Sequence, residues 1–182
     1  INIGQFAFVG TGIHYDESNW ESGVLYINDC LIMVAESISG ECIIKDATRL
    51  ISDMAFGSCN TLTSVTIPSS VKNIGNFAFY YCSALTSITI PDSVTRIGQD
   101  AFLETGIYNN ESNWENGVLY IDNCLIAAQK NISGTYTIKD GIRLVADCAF
   151  YGCHSLYSTT IPNSVMSVGN GAFYDCSSLT SI

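Results

Sequence analysis

Eight cysteines, two histidines and seventeen carboxylates are the residues with which this 182-residue chain could bind a metal, form disulfides or attack a substrate. Zinc sites and redox dithiols commonly place their thiols as C-x-x-C, a spacing that lets two sulfurs reach one centre. No such pair occurs, and Cys148-x4-Cys153 with His154 lacks a second ligand cluster. A Cys153–His154 dyad would need the two groups to face one another with a third orienting the base, which adjacent loop residues seldom achieve. Asp46 and Asp140 follow Lys45 and Lys139 at the ends of extended stretches, where turns ordinarily place carboxylates. No glycine-rich phosphate loop is present. Neither catalysis nor a metal or other cofactor is expected.

Composition excludes further classes. Seventeen acidic residues against seven Lys plus Arg give a net charge of −10. So few cations cannot displace phosphate counterions effectively, so nucleic acid is not an expected partner. No apolar run approaches the roughly 18 residues of a membrane span, so no membrane insertion by this segment is expected. With 47% hydrophobic and 13% charged residues, the chain can bury a large core.

What positions all these residues is a repeat. Ala-Phe recurs at Ala7, Ala55, Ala78, Ala101, Ala149 and Ala172, at intervals of 48, 23, 23, 48 and 23. A 23-residue unit is therefore present, twice carrying an insertion of about 25 residues. Cys59, Cys82, Cys153 and Cys176 each lie four residues beyond the Ala, which places them at one site on successive coils. A compact thiol at such a site packs as a small hydrophobe. A disulfide between adjacent coils, such as Cys59–Cys82, and a metal site are the alternatives, although in-register neighbours rarely offer the disulfide torsion. A longer period also exists. Residues 1–88 shifted by 94 onto 95–182 give 51 identities, which defines superunits 1–94 and 95–182.

The best-kept copy runs Leu85-Thr-Ser-Ile88-Thr-Ile90-Pro91 and continues through Val94-Thr-Arg-Ile97-Gly98 to Ala101-Phe102. Alternation in its first part predicts a short strand with Leu and Ile inward and Ser and Thr outward. Proline then ends the strand. Val-x-x-Ile-Gly predicts a second extended segment, with glycine permitting a bend. One unit cannot bury its own apolar face, whereas stacked units share a core. The expectation is a mainly β solenoid with a parallel sheet, short irregular or helical turns on the other side, and two β-hairpin insertions, about 14–38 and 108–132.

These residues, Leu-x-x-Ile-x-Ile-Pro-x-x-Val-x-x-Ile-Gly-x-x-Ala-Phe-x-x-Cys-x-x-Leu, resemble the BspA-type leucine-rich repeat, which is related to treponemal repeats of similar length. The resemblance covers nearly the whole chain and extends to the variant unit Trp114-Glu-Asn-Gly-Val-Leu-Tyr-Ile-Asp-Asn-Cys-Leu-Ile. It implies a curved leucine-rich-repeat solenoid on a secreted or cell-surface protein of a host-associated microbe, with a binding or adhesive role. An extracellular or host protein or glycan is the partner it implies, and a monomer is expected. A structural spacer without a ligand is the alternative. The chain begins inside one unit and stops inside another, so a fragment of a longer protein is expected.

Two candidate binding features follow. Val24-Leu-Tyr-Ile27 with Cys30-Leu-Ile-Met33, and Val118-Leu-Tyr-Ile121 with Cys124-Leu-Ile-Ala127, predict hairpins turning at Asn28-Asp29 and Asp122-Asn123. Trp20, Trp114, Tyr26 and Tyr120 are the aromatic candidates there, either as recognition anchors or as struts closing the hairpin base. The second feature is the outward row of the main sheet: Glu41, Ser64, Ser87, Thr135 and Ser158, beside Ile43, Thr66, Thr89, Thr137 and Thr160. Its hydroxyls suit a protein or glycan, though Ser and Thr are also ordinary strand-surface residues.

Overall fold

The computed structural model describes residues 3–182. The chain forms two compact units, Ile1–Asn109 and Asn110–Ile182. The division falls within the second insertion, beyond the 94/95 boundary of the sequence superunits. Both units are β-solenoids whose coils follow the 23-residue period.

In the first unit a helical turn α1 (Gly12–Tyr15) precedes β1 (Trp20–Glu21), β2 (Val24–Ile27) and β3 (Cys30–Val34). The solenoid strands follow: β4 (Ser39–Ile43), β5 (Leu50–Ile51), β6 (Thr61–Thr66), β7 (Asn73–Ile74), β8 (Ser87–Thr89) and β9 (Arg96–Ile97). A second helical turn, α2 (Gly106–Asn109), ends the unit. The second unit comprises β10 (Trp114–Glu115), β11 (Val118–Ile121), β12 (Cys124–Ala128), β13 (Gly134–Thr137), β14 (Leu144–Val145), β15 (Leu156–Thr160) and β16 (Ser167–Val168).

Each coil contributes to two ladders. The Leu-x-x-Ile-x-Ile strands pair in parallel as β4-β6-β8 and as β13-β15. The Ile-Gly segments pair as β5-β7-β9 and β14-β16. A third set of bonds joins the Ala-Phe turns, with Phe56 N donating to Ala78 O at 2.7 Å and Phe79 N to Ala101 O at 2.8 Å. Inside, the phenylalanines stack coil on coil. Ring centroids are 4.8 Å apart for Phe56–Phe79, 5.2 Å for Phe79–Phe102 and 5.0 Å for Phe150–Phe173. Burying one such ring contributes roughly 1.5–3 kcal/mol, and each stacked pair about 0.5–1.5 kcal/mol more.

The glycine of Ile-Gly has a different role from the bend expected of it. Gly75, Gly98 and Gly169 lie against the preceding coil: a Cβ would sit 2.5 Å from Asp53 N, 2.5 Å from Asn76 N and 2.4 Å from Asp147 N, respectively. This close approach accompanies a side-chain ladder. Asp53 Oδ1 accepts from Asn76 N at 2.8 Å, Asn76 Oδ1 accepts from Gln99 N at 3.0 Å, and Asp147 Oδ1 accepts from Asn170 N at 2.8 Å. Ser52 and Ala146 hold the glycine position in the coils that follow an insertion. Their amides bond Leu31 O and Leu125 O on the insertion's last strand, where a Cβ is accommodated.

The insertions are larger than the expected two-stranded hairpins. Each is a three-stranded antiparallel meander, β1-β2-β3 or β10-β11-β12, and its last strand pairs in parallel with the first Ile-Gly segment. The additional turns are Ser22-Gly23 (φ 52° and 80°) and Asn116-Gly117 (φ 50° and 79°). Positive φ at both central residues matches the right-handed twist of the flanking strands. At the other hairpin turns only the first residue, Asn28 or Asp122, has positive φ.

A single position marks where an insertion begins. Thr11 and Thr105 stand where plain coils carry Cys. Cys82 Sγ reaches back one coil to Phe56 O at 3.0 Å, as Cys176 Sγ does to Phe150 O at 3.0 Å. The threonine hydroxyl instead bonds within its own coil: Thr105 Oγ1 donates to Phe102 O at 2.7 Å and accepts from Tyr108 N at 3.1 Å. Thr11 makes the matching pair with Phe8 O and His14 N. Accepting an amide proton in this way starts a helical turn and leads the chain out of the coil.

Candidate binding surface

The Leu-x-x-Ile-x-Ile strands form one long-strand sheet in each unit, β4-β6-β8 and β13-β15, and within each the outward residues pair in the register counted from the repeat. Glu41 pairs with Ser64 and Ser64 with Ser87, beside Ile43–Thr66–Thr89. In the second unit Thr135 pairs with Ser158 and Thr137 with Thr160. Thr66, Ser87, Thr89, Thr135, Thr137 and Thr160 are exposed, whereas Ser64 and Ser158 are half-buried. Several hydroxyls of this sheet are already used between coils. Thr61 Oγ1 donates to Ile38 O at 2.8 Å, Thr63 Oγ1 to Gly40 O at 3.0 Å and Thr66 Oγ1 to Glu41 Oε1 at 3.0 Å. Ile43 is a large apolar side chain in this polar row, 69% exposed. In the second unit an open groove of about 520 Å³ runs past Thr137, Lys139, Thr160, Pro162 and Ser164 at the ends of β13 and β15.

At the meander the tryptophans are struts. Trp20 Nε1 donates to His14 O at 2.9 Å, and the half-buried ring packs on the cluster of Leu25, Cys30, Ile32 and Leu50. Trp114 is half-buried at the same register, facing Leu119 as Trp20 faces Leu25. The meander's apolar residues, among them Val24, Leu25, Leu31, Val118, Leu119 and Leu125, are buried within their own units.

Tyr26 and Tyr120 sit where each meander meets the long sheet. Tyr26 Oη accepts from Lys45 N at 3.1 Å, and Lys45 Nζ lies 5.4 Å from the Tyr26 ring centre and 2.9 Å from Glu21 Oε2. In the second unit Lys139 pairs with Glu115 and lies 4.3 Å above the Tyr120 ring. There Tyr120 and Tyr136 share a hydroxyl–hydroxyl bond of 2.8 Å. Burial first, and then this bond, holds the Tyr136 phenol well above the usual tyrosine range. Burial likewise raises Tyr26, more than the Lys45 amide lowers it. The sequence pointed to the two tyrosines; Lys45, Lys139 and Tyr136 were missed, although both lysines sit in the shared Ile-Lys-Asp string.

All eight cysteines are free thiols, seven of them buried. Burial pushes Cys42 and Cys153 up to about 11. Cys153 Sγ faces Gln129 O at 3.7 Å, whereas the neighbouring His154 is exposed, with Asp175 Oδ2 3.8 Å from its Nε2. The two do not form a dyad. Among the described residues no group of three or more His, Cys, Asp or Glu is arranged around a metal position, and no helix is long and apolar enough to cross a membrane.

Three solved structures to which this chain is similar come from bacteria. A leucine-rich cell surface protein from Faecalibacterium prausnitzii A2-165 is 33% identical over 81% of this chain and 41% of its own, with a TM-score of 0.41. A leucine-rich repeat protein from Bacteroides ovatus is 26% identical, covering 88% of this chain and 43% of its own, with a TM-score of 0.41. The T. pallidum leucine-rich repeat protein is 20% identical over 83% and 82%, with a TM-score of 0.45. The chain thus spans less than half the length of two of these three proteins. No curated protein matches it. The family model "BspA type Leucine rich repeat region" matches residues 1–133 and 128–182 in six copies. With the 23-residue coils, the stacked Phe column and the paired ladders in place, the chain belongs to the BspA-type leucine-rich repeat family.

Proposed function

We propose that this chain is a non-catalytic protein-interaction module, displayed on the surface of a host-associated microbe or secreted by it, with an adhesive role toward an extracellular or host protein or glycan. The observation that carries the reading is the outward face of the long-strand sheet within each unit, β4-β6-β8 and β13-β15. Coil after coil it presents side chains in fixed register, Ser64–Ser87 and Thr66–Thr89 in one unit and Thr135–Ser158 and Thr137–Thr160 in the other. Repeat arrays of this kind use such extended faces for binding. The tryptophans, committed to packing, are assigned to holding the meander and not to recognition.

A spacer with no ligand is the second reading, favoured by the hydroxyls already bonded between coils. Biolayer interferometry against matrix proteins, mucins and bacterial cells separates the two. The comparison protein carries Ser87→Lys and Thr89→Lys, shown by circular dichroism to be folded. Saturable binding lost in that variant supports the long sheet as the ligand face. Absence of binding by the parent at high micromolar concentration supports the spacer.

A further inference from the structure

The two meander–sheet junctions align position for position, yet one is filled and the other open. In the second unit the Tyr136 ring crosses from β13 to the meander and bonds Tyr120 through its hydroxyl. The first unit carries Cys42 at that place, with the same inward orientation. Cys42 pairs with buried Val65, as Tyr136 pairs with buried Thr159. Exchanging a phenol ring for a thiol leaves a cleft of about 280 Å³ lined by Glu21, Tyr26, Glu41, Cys42, Ile43 and Lys45, among others. This is slightly below the roughly 300–1,000 Å³ of sites for drug-sized ligands and suits a single ring.

We propose that this cleft is a binding site for a phenol, namely a tyrosine side chain presented by a partner polypeptide. The second unit demonstrates the occupant, because its own tyrosine fills the equivalent space. The hydrogen-bond partner is also in place. Tyr26 Oη accepts from Lys45 N, leaving its own proton to donate to an incoming phenol oxygen. Around the cleft Glu21 is paired with Lys45, whereas Glu41 keeps its charge and accepts from the Thr66 hydroxyl, so the remaining negative charge disfavours an anion and leaves room for a neutral ring. Ile43 supplies exposed apolar surface at the rim and Cys42 a buried floor. The thiol, pushed up to about 11 by burial, carries no charge at neutral pH.

The peptide ligand rests on the protein-binding reading; the phenol site itself does not, and the experiment separates them. p-Cresol is titrated into the full chain while the Lys45 and Lys139 amide resonances are followed. Saturable shifts are expected at Lys45 and not at Lys139, with toluene binding roughly 3–10-fold more weakly for want of the hydroxyl. Cys42→Tyr fills the cleft and should abolish the Lys45 shifts. Tyr136→Cys opens the second junction and should create saturable shifts at Lys139, a gain that misfolding cannot mimic. Cresol shifts at Lys45 that persist in Cys42→Tyr, or that never saturate in the parent, overturn the site. An acetyl-Gly-Tyr-Gly amide peptide that fails to compete where p-cresol binds overturns only the peptide ligand.

Discussion

The two meander–sheet junctions share their frame and differ in their filling. Glu21, Tyr26 and Lys45 recur as Glu115, Tyr120 and Lys139, whereas Glu41-Cys42-Ile43 becomes Thr135-Tyr136-Thr137. The shared residues tie the meander to the sheet through an ion pair and a cation–π contact in both units. These three consecutive residues on the first long strand differ, and the exchange of Cys42 for Tyr136 sets whether the space beneath is occupied. Within one chain, therefore, the contacts that hold strands together and the side chains that shape a cleft vary independently. The same backbone carries a closed and an open version.

The comparison is most severely tested where the units should behave alike. Phe79→Ala and Phe150→Ala each remove a ring from the stacked column and should cost about 3–5 kcal/mol, read by chemical denaturation. A near-neutral result in one unit would show that its column is not a packed core. Next come Gly75→Ala and Gly169→Ala, whose added methyl meets the backbone of the coil beneath; each should cost roughly 1–3 kcal/mol. Where β3 or β12 lies beneath, the methyl of Ala146 is already tolerated, and Ser52→Ala should be neutral or slightly favourable by comparison. Thr105→Cys should cost about 0.5–2 kcal/mol by removing the hydroxyl that starts α2, and the loss should appear first as faster amide exchange at Tyr108.

A smaller effect sharpens the difference between units. Thr159, at the position of Val65, is buried with its hydroxyl unpaired. Thr159→Val should therefore stabilise the second unit by about 1 kcal/mol, seen as a higher thermal midpoint. The last prediction is silent at neutral pH. Cys42 and Cys153 have thiols raised to about 11 from an ordinary 9.0, chiefly by burial. A raised pKa means that the folded state binds the proton more tightly than the unfolded one. The resulting stabilisation is complete below pH 9 and fades as pH rises toward 11. Cys42→Ser should flatten that alkaline decline in the first unit; an unchanged slope would place its origin elsewhere.

Much of this architecture was legible because its determinants recur every 23 residues. The pairing of Ser64 with Ser87 and of Thr135 with Ser158 follows from counting alone, once alternation has set which residues face outward. The additional strand of the second meander was also visible in Asn116-Gly117, a strong hairpin signal that the more conspicuous apolar runs overshadowed. Other features depend on what lies across from a residue. That Gly98 is required by Asn76 one coil below, and not by its own φ, is a distance between segments 22 residues apart. The Tyr136–Tyr120 bond likewise depends on a meander laid over the sheet, and nothing local to Tyr136 announces it.

The exchange of Cys for Thr at positions 11 and 105 has a consequence for how such chains diversify. A thiol there passes the path on to the next identical coil; a hydroxyl ends the sentence and begins a new clause. A single side chain thus acts as punctuation in a tandem array, separable from the vocabulary of the coils around it. Duplicating a coil with its thiol would lengthen the array without decoration, whereas duplicating one with its threonine and following meander would copy a complete junction. Such a copy arrives with its supports intact, leaving the last residues of its first long strand open to become a plug or a socket.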